Sequence, residues 1–293
     1  MCKLQYTFKT DTLFKMLFVT HQDLLKTLVA ALLGIPLESI GRFVVRNAEM
    51  PPEILGSKFC RLDINMEVNE QLVDLEVQVA NEGDYQDRVL FYWARQFSTA
   101  LPAGEVYSTL PRTIVISILD FRLFDCAEYH SFFQPLEVTR HTLLSDKMGL
   151  HFFELPKFPA SVEDRDMLSL WLLLFKASTE EELEKIRAME VPVMNQAIDA
   201  YYKITASPKF RELERVREKA RHDEAQALHH AEQKGRAEGM AKGRAEGMAK
   251  GRAEGISERS MEIAKNLLKM GMPFSQVSEA TGLAPEKLET IDQ

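Results

Sequence analysis

The chain reads as an α/β protein: a mixed sheet flanked by helices, followed by a helical linker and a small C-terminal helical module. Three observations predict this. Between Lys58 and Ala80 apolar and polar residues alternate in two successive runs, the period of two that marks half-buried strands. Thr113 to Leu119 is a near-continuous β-branched run, typical of a strand covered on both faces. Residues 11–33, 84–100 and 162–202 carry apolar positions at helical recurrence.

At 293 residues and 45% hydrophobic, the chain has room for one large domain, about residues 1–205, and an appendage. The densest apolar run, Leu168 to Phe175, is too short to span a bilayer, and the N-terminus has no signal-peptide core. The expectation is a cytoplasmic protein without a membrane partner. Cys2, Cys60 and Cys126 are scattered without CxxC spacing, which argues for reduced thiols and against a disulfide frame or zinc site. Net charge is −8, awkward for a DNA-binding protein, because affinity rests largely on phosphate neutralisation. From Lys209 to Arg259 there are 13 Lys and Arg against 10 Asp and Glu, a net of +3, which leaves −11 elsewhere. DNA contact would need a local basic patch or bound metal ions.

Taken in order, Leu13, Phe14, Leu17, Phe18, Leu24, Leu25 and Leu28 predict two helices over 11–33 with a break near residues 20–23. Thr10 or Asp11 is the expected N-cap, and Gly34-Ile35-Pro36 stops the second helix. Lys15 stands one turn beyond Asp11, where it meets a phosphate or pairs with Asp11.

The hairpin follows. Leu62, Ile64, Met66 and Val68 alternate with Arg61, Asp63, Asn65 and Glu67; Val73, Leu75, Val77 and Val79 alternate with Asp74, Glu76 and Gln78. Two registers keep one apolar face. A two-residue turn at Asn69 and Glu70 sets Asp63 opposite Glu76, whereas a four-residue loop sets it opposite Gln78 with Glu76 on the diagonal. Opposed Cβ atoms lie about 4.5–5.5 Å apart and diagonal ones about 7–8 Å, so one cation can bridge the two carboxylates in either case. A hard divalent ion held by carboxylates suits phosphodiester hydrolysis. The plain alternative is a solvated strand face.

Downstream, Asp84 to Ala100 predicts an amphipathic helix with Arg88 and Tyr92 one turn apart. Leu136 to Leu144 and Leu150 to Leu155 read as strands, and Val162 to Lys176, Glu180 to Met189 and Val191 to Tyr202 as helices. His130, His141 and His151 lack metal-ligand spacing and read as structural.

Asp63, a further strand and then Glu76-Val77-Gln78 resemble the D…(D/E)xK core of the PD-(D/E)XK nuclease superfamily, in the variant where Gln replaces Lys. With DTLFKMLF at Asp11 to Phe18, DRVLFYWARQFS at Asp87 to Ser98 and TIVISILDFRLF at Thr113 to Phe124, the chain is similar to the Rpn family of recombination-promoting, transposase-like nucleases. The resemblance implies a restriction-endonuclease-like fold and a metal-dependent DNA endonuclease, a hydrolase acting in DNA recombination. It implies Mg²⁺ or another divalent cation on Asp63 and Glu76, with Gln78 positioning water. Asp11 would add a third carboxylate, set against its plainer role as helix cap. Lys15, Arg88 and Tyr92 would contact DNA, the plainer role of Arg88 being to pair with the acid cluster. Gln hydrogen-bonds but adds no charge at the scissile phosphate, so a second metal, Lys15 or Arg88 must compensate. A non-catalytic DNA-binding or assembly protein and a glycosidase are the rival readings; no Trp-rich sugar platform accompanies the carboxylates.

Residues 206–259 form a charged segment in which KGRAEGMA at Lys234 recurs at Lys242 and degenerates to KGRAEGIS at Lys250. Five i,i+4 ion pairs would contribute about 1–2.5 kcal/mol, whereas six helix-interior glycines cost about 5–6 kcal/mol. The balance favours a frayed helix or flexible linker. Residues 260–293 predict a small helix-turn-helix-like module, with Ser275 as the cap of its second helix and Pro285 starting the third. Basic side chains are sparse in its second and third helices, which favours protein contact over major-groove reading and a homodimer or higher homo-oligomer.

Overall fold

The computed structural model describes residues 2–47, 64–160 and 166–291. Two helices open it, α1 (Asp11–Thr20) and α2 (Gln22–Leu33), bent 106° apart. Thr10 is the N-cap in extended conformation, although its hydroxyl accepts from Thr7 N and makes no cap bond to the helix. Gly34 closes α2 in the left-handed region at φ 66, where a Cβ is disfavoured.

One mixed sheet follows, built from β1 (Phe43–Asn47), β2 (Ile64–Val68), β3 (Gln71–Gln78), β4 (Thr113–Leu119), β5 (His130–Phe133) and β6 (Met148–Glu154), in the order β1-β2-β3-β4-β6-β5. β3, β4 and β6 run parallel at its centre, and the other neighbours pair antiparallel. Helix α3 (Tyr85–Thr99) is the crossover from β3 to β4. The strand expected over Leu136 to Leu144 does not form. That stretch closes locally, with Glu137 N donating to Thr142 O and His141 N to Glu137 O, and it retains a single bridge between Leu136 and Leu143. The antiparallel partner of β6 is instead the short β5, outside the predicted strands.

Each face of the sheet is covered differently. On one side α1, α2, α4 (Met167–Lys176), α5 (Glu180–Arg187) and α6 (Pro192–Ala206) join Met66, Leu75 and Ile116 in the main core, where Phe18 packs on Trp171 and Phe175. On the other, α3 lays Tyr85 and Val89 over Val115, Leu119, Leu150 and Phe152, joined by Phe121 and Phe124 from the loop after β4. No single helix among the described residues is long and apolar enough to cross a membrane; the bent α1 and α2 pair meets the length and composition test, but its apolar residues line the core.

The chain divides into two compact units, Met1–Arg215 and Val216–Gln293. Where the glycine count favours a frayed segment, the structure has one helix, α7 (Pro208–Lys269), unbroken through the repeat. Nucleation is the costly step of helix formation, and each end of α7 is fixed by packing: Phe210 is buried in the core of the first unit, and Ala264 in that of the second. The second unit closes with α8 (Phe274–Thr281) and α9 (Pro285–Ile291) around Ala264, Val277, Leu283 and Leu288. Pro273, not Ser275, caps α8, and Gly271 and Gly282 take the left-handed turns.

Candidate functional site

The site is built on the β2–β3 hairpin, whose turn is only two residues long. Val68 pairs with Gln71, and Asn69 and Glu70 both take positive φ, 48 and 66, the type I′ geometry that matches strand twist. Asn69 then fixes the hairpin to the start of β1: its Oδ1 accepts from Gly41 N and Arg42 N, and its Nδ2 donates to Ser39 O. The shorter of the two expected registers is therefore adopted, with Ile64 opposite Leu75 and Asn65 opposite Asp74. Asp63, the next residue, lies outside the described residues.

Asp74, Glu76 and Gln78 share one face of β3, and that face is not solvated. They are 4%, 6% and 4% exposed, and α3 reaches this face at Glu76 through Tyr85. The Tyr85 hydroxyl sits 2.8 Å from both Glu76 Oε2 and Ser117 Oγ. Ser117 is delivered by the parallel register, which sets it beside Glu76. Farther along α3, Gln96 Nε2 donates to Asn65 Oδ1 at 2.6 Å, and Trp93 Nε1 donates to Thr113 O. Gln78 Nε2 donates to Ala80 O at 2.9 Å.

Among the described residues, Asp74 Oδ1 is buried without a hydrogen-bond partner. Burial, with the neighbouring charge of Glu76 adding to it, pushes the Asp74 carboxyl well above the usual carboxylate range. Among the described residues no three His, Cys, Asp or Glu cluster into a complete metal centre. The donors present nonetheless fit a hard divalent cation. Mg²⁺ binds through one or two carboxylates and takes the rest of its shell from water and phosphate, and an orphaned carboxylate oxygen beside Glu76 is a donor awaiting such a charge.

The remaining sequence-predicted residues divide into two groups. Asp11 and Lys15 meet each other, Lys15 Nζ lying 3.0 Å from Asp11 Oδ1 with the lysine buried. The start of α1 reaches the C-terminal end of β3, since Lys9 pairs with Asp120 at 2.8 Å and Asp120 N donates to Gln78 O. Arg88 pairs with Glu82 at 3.0 Å, and its guanidinium lies over the ring of Tyr85, 5.0 Å from the centroid. Arg88, Tyr85 and Glu76 thus form one connected series. Tyr92 lies one turn farther along α3, its ring 6.1 Å from that of Phe91. Tyr85 and Ser117 carry no signal in the sequence that marks them as partners of Glu76; Asp74 does, since it continues the Glu76 and Gln78 alternation.

Neither the curated proteins nor the solved structures contain a match to the chain. Residues 257–293 match the C-terminal HTH domain of the Rpn/YhgA-like nuclease family. Residues 8–231, most of the chain and the whole of the described sheet, match the PD-(D/E)XK nuclease family transposase model, and the chain belongs to that family.

Proposed function

We propose that this protein is a metal-dependent DNA endonuclease that hydrolyses phosphodiester bonds in the course of DNA recombination. The observation that carries the reading is the buried acceptor face of β3, where Asp74 Oδ1, beside Glu76, has no partner among the described residues, in a chain of this nuclease family. Asp63 and Glu76 are the proposed ligands of Mg²⁺ or another divalent ion, and Asp74 is a further oxygen donor on the same face. When bound, the ion activates water and neutralises charge developing on the phosphate. Glu76 keeps its orientation through the Tyr85 hydroxyl, itself braced by Ser117. Gln78 orients water through its amide and brings no charge. Arg88 and Lys15 are the cations proposed to face DNA together with Tyr92, while Asp11 holds Lys15 in place.

In the second unit, α8 and α9 carry Lys287 against Glu279, Glu286 and Glu289. Phosphate neutralisation then does not fall to α8 and α9, and the module serves self-association into a homodimer or larger homo-oligomer.

The test is nicking of supercoiled plasmid with Mg²⁺ and with chelator. Wild type is expected to nick only with metal, and Asp63→Ala and Glu76→Gln to lose at least about 10²-fold in rate, the scale of one preorganised electrostatic contact. Wild-type rates in both variants would refute the assignment.

A further inference from the structure

We infer that Arg42, just before the edge strand β1, and Arg46, on it, form a phosphate-binding pair for the DNA strand that enters the site; the inference rests on the nuclease reading above. Glu67 of β2 stands opposite both Val44 of β1 and Leu72 of β3, and Asn65, two residues away, stands opposite Asp74. Glu67 therefore shares a sheet face with Asp74 and Glu76. Its carboxylate is nearly buried and is held from both sides. Arg42 Nε lies 2.8 Å from Oε1, while Arg46 binds Oε2 through Nη2 and through Nε at 3.2 Å. The two arginines themselves stay 64% and 53% exposed.

Stability does not explain the second arginine. One guanidinium satisfies a carboxylate bidentately, and an additional exposed ion pair is worth little. Among the described residues the three groups together carry a net charge of +1, with guanidinium N–H groups that Glu67 does not use: both Nη groups of Arg42 and Nη1 of Arg46. Glu67 thus acts as an anchor that holds two flexible side chains in fixed directions, which lowers the entropy lost when they grip an anion.

Position points to the same ligand. Glu67, on which the two arginines converge, stands opposite Leu72, four residues before Glu76 on β3; that is about 13 Å along the strand and one to two strand spacings across it, about 14–16 Å in all, or about four to five nucleotides of rise along one DNA strand. The pair is thus placed for a backbone phosphate about four to five nucleotides from the one at Glu76. It also answers the charge problem of an acidic chain, since cations are supplied locally on the face that carries the carboxylates.

The experiment uses the full chain in a Glu76→Gln background, with a fluorescein-labelled DNA duplex and anisotropy measured over a series of NaCl concentrations. Arg42→Ala and Arg46→Ala are each expected to weaken binding alike on unrelated sequences and to reduce the slope of log affinity against log salt by about one. Because removing both arginines strands a buried carboxylate, a second variant, Arg42→Met/Arg46→Met/Glu67→Leu, removes all three charges together. It is expected to lose about two units of slope, whereas Arg42→Lys/Arg46→Lys keeps the slope. An unchanged slope in the triple variant, with melting like that of the background, overturns this inference and leaves the nuclease reading standing. A background protein that binds no duplex at any salt concentration overturns both.

Discussion

Tyr85 is the side chain on which the geometry of Glu76 depends. Its hydroxyl is the described contact that joins the carboxylate to β4, and Tyr85→Phe removes it without changing the shape of the core. The variant leaves buried oxygens of Glu76 and Ser117 short of a partner, so a loss of about 1–3 kcal/mol is expected in denaturant unfolding, with slower plasmid nicking. Unaltered stability would show that Glu76 is held by other groups. A second residue-scale prediction concerns His151. His130 Nε2 and His151 Nδ1 lie 3.1 Å apart in nearly parallel rings, so a single proton occupies the line between them. Burial, with the charges of His130 and Arg112 adding to it, lowers His151 to about 4, against 6.5 for the free side chain. The folded state thus keeps His151 neutral where the unfolded chain takes up a proton. The stability this provides is complete above pH 6.5 and is lost as pH falls from 6.5 towards 4, on the order of 3 kcal/mol over the window. His151→Phe should flatten that part of a plot of melting temperature against pH; an equally steep loss in the variant would place the sensitivity elsewhere.

At the scale of elements, α7 sets helix propensity against continuity. Its repeat carries exposed pairs Lys234–Glu238, Lys242–Glu246 and Lys250–Glu254 at 3.8–3.9 Å, each worth a few tenths of a kcal/mol. A Cβ built at any glycine from Gly235 to Gly255 meets nothing within 4 Å. The glycines are therefore not needed for close approach within the described structure. Along a helix that turns 100° per residue, positions four apart drift by about 40°, so the glycine column winds through about 200° between Gly235 and Gly255. A straight neighbouring helix cannot cover it all. Changing the six glycines to Ala should stabilise this stretch by about 5–6 kcal/mol in sum, seen as slower amide exchange across residues 235–255. Faster exchange, or loss of assembly, would show that the column packs against a partner.

For the whole molecule the question is which unit assembles. Among the described residues, the second unit rests on a buried core of four small and medium side chains, Ala264 from the end of α7 with Val277, Leu283 and Leu288, too few for robust independent stability. Met270 and Phe274 stay exposed beside it, and Ile263 is also exposed. Association would bury such surface. Light scattering on the full chain, on residues 1–215 and on the isolated tail is expected to give an oligomer for the full chain and a monomer for residues 1–215. A monomeric full chain, or equal assembly without the tail, would remove the module from that role.

The sequence by itself determined the features written within single elements. Alternation marked β2 and β3 and restricted the hairpin to two registers, Gly34 ended α2, the helix break near residue 21 was legible, and Asp63, Glu76 and Gln78 carried the family resemblance. Those signals are local, because periodicity and capping act over a few residues. Tertiary structure decided the rest. It chose the two-residue turn, buried Asp74, Glu76 and Gln78, and brought Tyr85 and Ser117 to Glu76, the latter through a parallel pairing that no spacing encodes. It also carried α7 through six glycines, because packing at its two ends supplied the nucleation that propensity lacked. Propensity sums over neighbours in sequence, whereas burial and register are set by residues tens of positions apart, and the chemistry of a carboxylate follows its burial.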